Sequence, residues 1–491
     1  MKTQPHTYRM TTLGCRANHA EEREMEAVLH ARGFRAAEQE ETAHLEVVHT
    51  CSVTSRAAAK SRQAIRRAAR KRGGHLRPPK VVVTGCYVGT DQQTAGRLAS
   101  GEGAQPGTTL GHADEQSLTM IQRFALEIDE WLGISPEPTP SPVCKPLHAL
   151  PIIELPTRPA RHARAEIRIQ DGCDAHCTFC IIPTLRPTLR SKSLGDVESE
   201  ARRLVDLGHK EIVLTGIFIG AYGHSTALRR RQAPSPSARL SDLVDALAHL
   251  DGVERLRISS MEPMDVTEDL LDAMLANRRV VVPHLHLPLQ SGSDNILRRM
   301  NRQYRVGEYL EMIQRVQSAL GTDGLPPAIT TDIICGFPGE TPEDFKATCK
   351  VAQQVGYLHM HVFPFSPRAG TAAARWKDRF VDPVEIRDRV QALIDLENEP
   401  ENGLAVRFRK QLVGRRLRAI VEQPDRERPG RWTGRCDHYE LLSMTGPAFR
   451  GQMVDVVVDR LDGSCTLATI MEEPVSLPIL FDNSKPLETC P

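Results

Sequence analysis

Aromatic side chains are scarce in this chain: 3 Trp, 7 Tyr and 12 Phe make up 4% of 491 residues. That poverty argues against a stacking platform of the kind that holds single-stranded nucleic acid with broad sequence tolerance. Net charge is nearly absent too, with 63 Lys and Arg against 62 Asp and Glu. The molecule as a whole is therefore no polyanion clamp, and any nucleic-acid binding has to come from local patches. No apolar run approaches membrane-spanning length, and the opening "MKTQPHTYRM" lacks the apolar core of a signal peptide. A cytosolic protein is expected. Thiols stay reduced in that compartment, so 12 cysteines point to metal ligation or catalysis rather than to a disulfide framework.

What is present divides into regions by pattern, and the length predicts roughly two to four domains. Up to Leu132, strand-like "TYRMTTLGC", "HLEVVHTC" and "KVVVTGC" alternate with helical "HAEEREMEAVLHARGF" and "SRAAAKSRQAIRRAARKR". This order predicts a small parallel α/β domain over 1–132. A proline-dense linker over 133–162 follows. Within 163–398, six strand-like runs ("AEIRI", "EIVLTG", "RLRISS", "HLHLPL", "AITTDIICG", "MHVFPFS") are separated by amphipathic helical patterns. They predict a partial (β/α)6 barrel with its chemistry at the strand C-termini. A basic, proline-containing insertion, "GHSTALRRRQAPSPSARL", reads as a surface loop. Alternating patterns over 408–471 predict a small antiparallel β-barrel, and 472–491 reads as a loosely ordered tail.

Three cysteines, Cys173, Cys177 and Cys180, follow directly on the first barrel strand in "QDGCDAHCTFC". The spacing C-x3-C-x2-C lets one loop hand three thiolates to an iron–sulfur cube, leaving one iron open. S-adenosylmethionine, with amino and carboxylate groups on one carbon, suits that open corner, and Phe179 is placed to lie against its adenine. The competing reading is a zinc site with His176 or a distant residue as fourth ligand. Cys15, Cys51 and Cys86 each close one of the three N-terminal strands. The carboxyl ends of parallel strands share one edge, so three thiols are expected to converge there on a second metal site, the alternative being three singly buried cysteines.

These motifs resemble the radical S-adenosylmethionine methylthiotransferase family, and the likeness spans nearly the whole chain. The matching stretches are "LGCRANHAE", "HTCSVTSRAAAKSRQAIRRA", "VTGCY", "DGCDAHCTFCIIP", "VLTGI", "RISSMEP", "HLHLPLQSGSDNILRRMNR", "TDIICGFPGET" and "FPFSPRAGT". The resemblance implies a methylthiotransferase domain, a radical barrel and a C-terminal TRAM domain. It implies two [4Fe–4S] clusters, an auxiliary one on Cys15, Cys51 and Cys86 that delivers sulfur, and a radical-generating one on Cys173, Cys177 and Cys180. One S-adenosylmethionine methylates sulfur at the auxiliary cluster; a second yields the radical that opens an unactivated C–H bond. Thr215, Gly216, Ser260, Glu262, Gln290 and Asp332 are candidates to hold S-adenosylmethionine or substrate, with structural alternatives such as a turn at Gly216 and a packing partner at Asp332. The electron donor and the sulfur source are not identifiable.

Three substrates occur among the family's branches: tRNA adenosine beside the anticodon bearing a threonylcarbamoyl group, the same base bearing an isopentenyl group, and a ribosomal-protein aspartate. "CSVTSRAAAKSRQAIRRA" resembles the threonylcarbamoyl branch and lacks the Arg–Glu pair usual in the isopentenyl one. The helix also has physical meaning: Arg62, Arg66, Arg67 and Arg70 belong to a basic run without any acid, a face suited to tRNA phosphates. Lys410, Arg415 and Arg416 add a second basic set, where shape and phosphate contacts dominate. The alternative is a solvated helix surface, and the non-enzyme alternative is a zinc-stabilised RNA-binding protein. One departure from the family stands in the cluster loop, where Arg186 is followed by Pro187 instead of glycine. Cys144, Cys335, Cys349, Cys436, Cys465 and Cys490 match no cluster motif and read as structural.

Overall fold

The computed structural model describes residues 6–38, 40–70, 79–100, 107–112, 118–134, 163–228, 239–322 and 324–471. The expected linker (apart from Gly133 and Ile134), the expected tail, most of the basic insertion, Cys144 and Cys490 lie outside the described residues.

The N-terminal strands are β1 (Thr7–Thr12), β2 (Arg35–Ala36), β3 (Leu45–Thr50), β4 (Lys80–Gly85) and β5 (Thr108–Leu110). They pair in the order β2-β1-β3-β4-β5, all parallel. Sequence patterning predicts the three inner strands; the short edge strands β2 and β5 carry too few residues to show alternation. Helix α1 (Arg16–Ala31) follows β1, α2 (Ser55–Arg70) follows β3, and the short α3 (Cys86–Thr90) follows β4.

The middle region holds six parallel strands: β6 (Arg164–Asp171), with a two-residue antiparallel neighbour β7 (Arg190–Ser191), then β8 (Glu211–Gly216), β9 (Arg255–Ile258), β10 (His284–His286), β11 (Ala328–Cys335) and β12 (His359–Pro364). They form two hydrogen-bonded sheets, β7-β6-β8-β9 and β10-β11-β12. Only the bridges Leu256–Val281 and Ser260–His286 join β9 to β10. Even-numbered β8 residues Ile212 and Leu214, with Ile167, Ile169, Leu256, Ile258, Leu285, Leu287, Ile329 and Ile333, pack into one core with the outer helices. The intervening residues face the barrel interior, because successive strand side chains alternate.

That interior is polar at its base. Glu211 accepts from Arg255 (2.5 Å) and from Arg257 (3.0 Å), and all three are fully buried. The C-terminal barrel completes the set: Asp437 lies 3.0 Å from Arg255. Tyr439, in a left-handed conformation at φ 68°, stacks on His284 with ring centroids 4.3 Å apart. Arg257, Arg435 and Arg16 surround the Tyr439 ring, and Arg16 also donates to its hydroxyl.

The C-terminal strands are β13 (Arg416–Pro424), β14 (Trp432–Cys436), β15 (Leu441–Thr445), β16 (Met453–Asp462) and β17 (Cys465–Ile470), closed in the order β13-β14-β15-β17-β16. Four pairings are antiparallel, but β15 and β17 run parallel, since the β16–β17 hairpin returns beside β15. Residues Leu404–Leu412 form a helix, so the first strand begins later than the pattern from Phe408 implies. The helices Asp294–Arg299 and Pro383–Asn398 also go unannounced by the pattern.

Burial by itself raises the Glu211 carboxyl, but Arg255, Arg257 and Arg164 outweigh it and hold it at about 2, below its ordinary 4.5. The stabilisation is complete above pH 4.5 and disappears as pH falls through the folded value. Glu211→Ala strands two buried guanidinium groups and is expected to cost about 3–5 kcal/mol at pH 7. The deficit relative to wild type should narrow between pH 4.5 and 2, measured as the shift in denaturant midpoint.

Candidate functional site

The three strand-end cysteines meet where the parallel strands of the N-terminal sheet end. Gly14, at φ 119°, lets the β1–α1 turn close over Cys51; a Cβ there would lie 2.8 Å from Cys51 Cβ and 3.1 Å from its Sγ. Gly85, at φ 95°, plays the same part before Cys86, lying against the Thr50 backbone. Ser61 of α2 donates to the Cys51 carbonyl (2.8 Å) and accepts from its N–H (3.2 Å). Asn18 of α1 donates to Leu13 and Thr50 carbonyls and accepts from the Cys15 thiol at 3.6 Å. Ser52 bonds the Cys86 carbonyl, and Arg368 donates to the Ser52 carbonyl. Cys15 is exposed whereas Cys51 and Cys86 are buried. Burial pushes the Cys51 thiol up and the Cys86 thiol to about 12.

The second trio lies on the loop after β6. Thr178 donates from its N–H to the Met300 carbonyl and from its hydroxyl to that of Arg299, and Asn301 donates to His176. Arg302 reaches the Cys177 sulfur at 3.3 Å with one nitrogen and Glu262 at 2.5 Å with the other. Burial drives Cys173 and Cys180 to about 12. Loading a metal into either trio thus displaces thiol protons.

The loop of the second trio packs on the first. Ile181, next to Cys180, and Leu185 pack with Cys86 in one buried cluster. Arg186 sits between them: its carbonyl accepts from the Cys173 N–H at 3.0 Å. Its guanidinium crosses to Glu21 of α1 (2.8 and 2.9 Å) and to Asp171 (2.6 Å). It also donates to His112 Nε2 at 2.7 Å. Arginine has no acceptor, so His112 is neutral with its proton on Nδ1; burial, then the Arg186 charge, holds it at about 3. Arg168 and Lys192 extend the network through Glu24, at 2.5 and 3.2 Å. The Arg186 charge opposes the rise of both Cys51 and Cys86.

Donor spacing tests which metal the trios suit. Two thiolates on one zinc ion lie about 3.8 Å apart, from Zn–S bonds of about 2.3 Å in a tetrahedron. Among the described residues, the one set of three His, Cys, Asp or Glu whose ligand atoms all lie within 4.8 Å is His286, Asp332 and His361. Neither cysteine trio, with or without His176, is drawn in that tightly. Three soft thiolate donors in each trio are the donor set an iron–sulfur cube takes.

The other sequence candidates are dispersed. Gly216 packs against Gln170, where a Cβ would sit 3.0 Å from its carbonyl oxygen, so close approach accounts for it. Thr215 is buried, Ser260 exposed, and Glu262 engaged by Arg302. Gln290 adopts a left-handed φ of 61° and donates its N–H to the Asp332 carbonyl, the kind of strain that gathers at ligand sites. The Phe179 ring packs edge-on to Phe337, centroids 6.3 Å apart. On α2, Arg66, Arg67 and Arg70 are exposed while Arg62 lies over the Tyr87 ring. Arg415 and Arg416 line a cleft with Arg278 and Pro283 at the barrel base, away from the cysteines. Arg416 pairs with Asp455, and Lys410 donates to the Glu401 carbonyl. Sequence patterning misses Glu21, Arg302, Arg368 and the histidines of β10 and β12; only the repeated His-x-His spacing carries a signal.

Two family descriptions match: the radical SAM superfamily over residues 167–352 and the uncharacterized protein family UPF0004 over 7–101. The threonylcarbamoyladenosine tRNA methylthiotransferase MtaB of Bacillus subtilis is 33% identical over 473 residues, covering 92% of this chain and 97% of that one. The tRNA-2-methylthio-N(6)-dimethylallyladenosine synthase of Frankia alni is 34% identical, covering 92% and 86%. Among solved structures, the radical S-adenosylmethionine methyltransferase TsrM of Kitasatospora setae shares the fold, with a TM-score of 0.52 at 14% identity over 76% of this chain and 77% of that one. Among the described residues no helix is long and apolar enough to cross a membrane. Two cysteine trios joined by one packed loop, with similarity of this degree over nearly the whole chain, make the chain a member of the radical S-adenosylmethionine methylthiotransferases, iron–sulfur enzymes that transfer sulfur-containing groups.

Proposed function

We propose that this enzyme inserts a methylthio group at C2 of N6-threonylcarbamoyladenosine next to the anticodon of tRNA, in the cytoplasm. The observation that supports the reaction class is the packing of Ile181 and Leu185 on Cys86, which brings the loop after β6 against the end of β4. Cys15, Cys51 and Cys86 hold the auxiliary cluster; Cys173, Cys177 and Cys180 hold the radical one. Bound there, the two clusters and S-adenosylmethionine supply the sulfur, the electron and the radical initiator that this bond change requires. The chain's own residues prepare the site. Arg186 places a fixed positive charge beside Cys86 and Cys51, offsetting the negative charge of thiolate ligands. Arg302 donates to the Cys177 sulfur and orients Glu262 towards the same loop. Burial of Cys86 and Cys173 keeps water from two of the ligands.

The substrate rests on α2 and on the likeness to the Bacillus subtilis relative; the dimethylallyl-named relatives make isopentenyladenosine the second reading. Arg66, Arg67 and Arg70 present exposed cations along α2, whose Ser61 bonds Cys51 and whose first residue, Ser55, bonds Ser366 after β12 (2.6 Å). A tRNA lying on α2 therefore passes the mouth of the barrel.

Deleting the gene and profiling tRNA nucleosides by mass spectrometry should remove 2-methylthio-N6-threonylcarbamoyladenosine and spare the isopentenyl form; the reverse pattern sinks this substrate. Cys51→Ala should retain S-adenosylmethionine cleavage, seen as 5′-deoxyadenosine release, while methylthio product disappears. Cys177→Ala should lose both. Arg66→Ala with Arg70→Ala should weaken tRNA binding and lower the slope of log K against log salt by about 2, with iron content unchanged.

A further inference from the structure

β10 and β12 each carry a His-x-His pair, His284 with His286 and His359 with His361, on either side of Thr330 and Asp332 in β11. In register, His286 faces Thr330, Thr330 faces His359 and Asp332 faces His361. Leu285, Leu287, Ile329, Ile333 and Met360 turn into the hydrophobic core. Alternation therefore points the polar set into the barrel.

His286 Nε2 lies 3.3 Å from Asp332 Oδ1, and its Nδ1 lies 2.9 Å from the Thr330 hydroxyl. Thr330 also meets His284 Nε2 at 3.2 Å. With the His286 Nδ1–H donating to the Thr330 hydroxyl, that hydroxyl donates to His284 Nε2, and the Nε2 lone pair of His286 faces Asp332. A metal-binding histidine is oriented in this way, its second nitrogen fixed by an outer partner. His361 converges from the next strand, so that one ligand atom from each of His286, Asp332 and His361 lies within 4.8 Å of the others. His361 also lines a cleft of about 600 Å³ between the last barrel strand and the C-terminal barrel, which gives an ion a route in from solvent.

We propose that His286, Asp332 and His361 form a 2-His-1-carboxylate site for a divalent transition cation, separate from both cysteine trios. Two imidazoles and one carboxylate suit Fe²⁺, Mn²⁺ or Zn²⁺ and leave positions for water or an oxygen ligand on the barrel side. Asp332 then acts on whatever enters the barrel through the ion it holds. The site stands whichever adenosine the enzyme modifies, so its test is independent of the substrate.

The test uses the anaerobically reconstituted holoenzyme with its clusters in the oxidised, diamagnetic state, titrated with Mn²⁺. The electron paramagnetic resonance signal of free Mn²⁺ reads binding without interference from the clusters. One equivalent of Mn²⁺ should bind, and its affinity should fall at least about tenfold in His361→Ala and in Asp332→Asn, with iron and sulfide content unchanged. Mn²⁺ left free up to millimolar concentration overturns the site. So does binding that both variants retain, or binding that Cys51→Ala abolishes while the two variants keep it.

Discussion

The contact on which the arrangement depends is the buried ion pair between Arg186 and Glu21. Arg186 belongs to the loop after β6, and its carbonyl holds the Cys173 N–H; Glu21 belongs to the helix that begins one residue after Cys15. Both side chains are 1% exposed, so neither charge finds water if the other leaves. Taking two ions out of water is costly, and the cost is offset here because Glu21 receives His49 and Arg168 as well, while Arg186 also holds Asp171. The geometry of one cysteine trio is therefore tied to that of the other by groups that cannot separate independently.

A second buried set does the same at the opposite end of the barrel. Glu211, Arg255 and Arg257 fill the base, and the β14–β15 turn of the C-terminal barrel caps it with Asp437 and Tyr439. Arg16 touches that Tyr439 and adjoins Cys15. The C-terminal domain is in this way linked to the neighbourhood of Cys15 through Tyr439. An open six-stranded barrel leaves its interior uncovered, and polar side chains from the N-terminal helix and the C-terminal turn occupy it instead of apolar filling.

The strands bearing Cys15, Cys51 and Cys86 were legible because each has a β-branched, apolar run ended by a cysteine, and parallel strands share one carboxyl edge. Cys173, Cys177 and Cys180 were legible because local spacing carries the motif. The proposal of Phe179 against an adenine came from adjacency alone, and the structure sets that ring against Phe337. Gly216 was open to a ligand or a turn, and close packing on Gln170 gives it a structural reason. Nothing in the helical pattern of α1 marks Glu21 and Glu24; they are buried because Arg168 of β6 supplies a cation to both. The departure at Pro187 drew attention to Arg186 without saying where its side chain went.

By itself the sequence led to an expected order of domains and to two candidate cysteine trios, because strand alternation, helical periodicity and cysteine spacing are local in the chain, while the chemistry came from its resemblance to a family. Only the tertiary structure decided that the loop of one trio packs on Cys86 of the other, that Arg186 joins their surroundings, and that Asp332 stands between two histidines. Those relations join residues up to 165 positions apart, and a buried charge reveals its partner only once the fold has brought the partner to it.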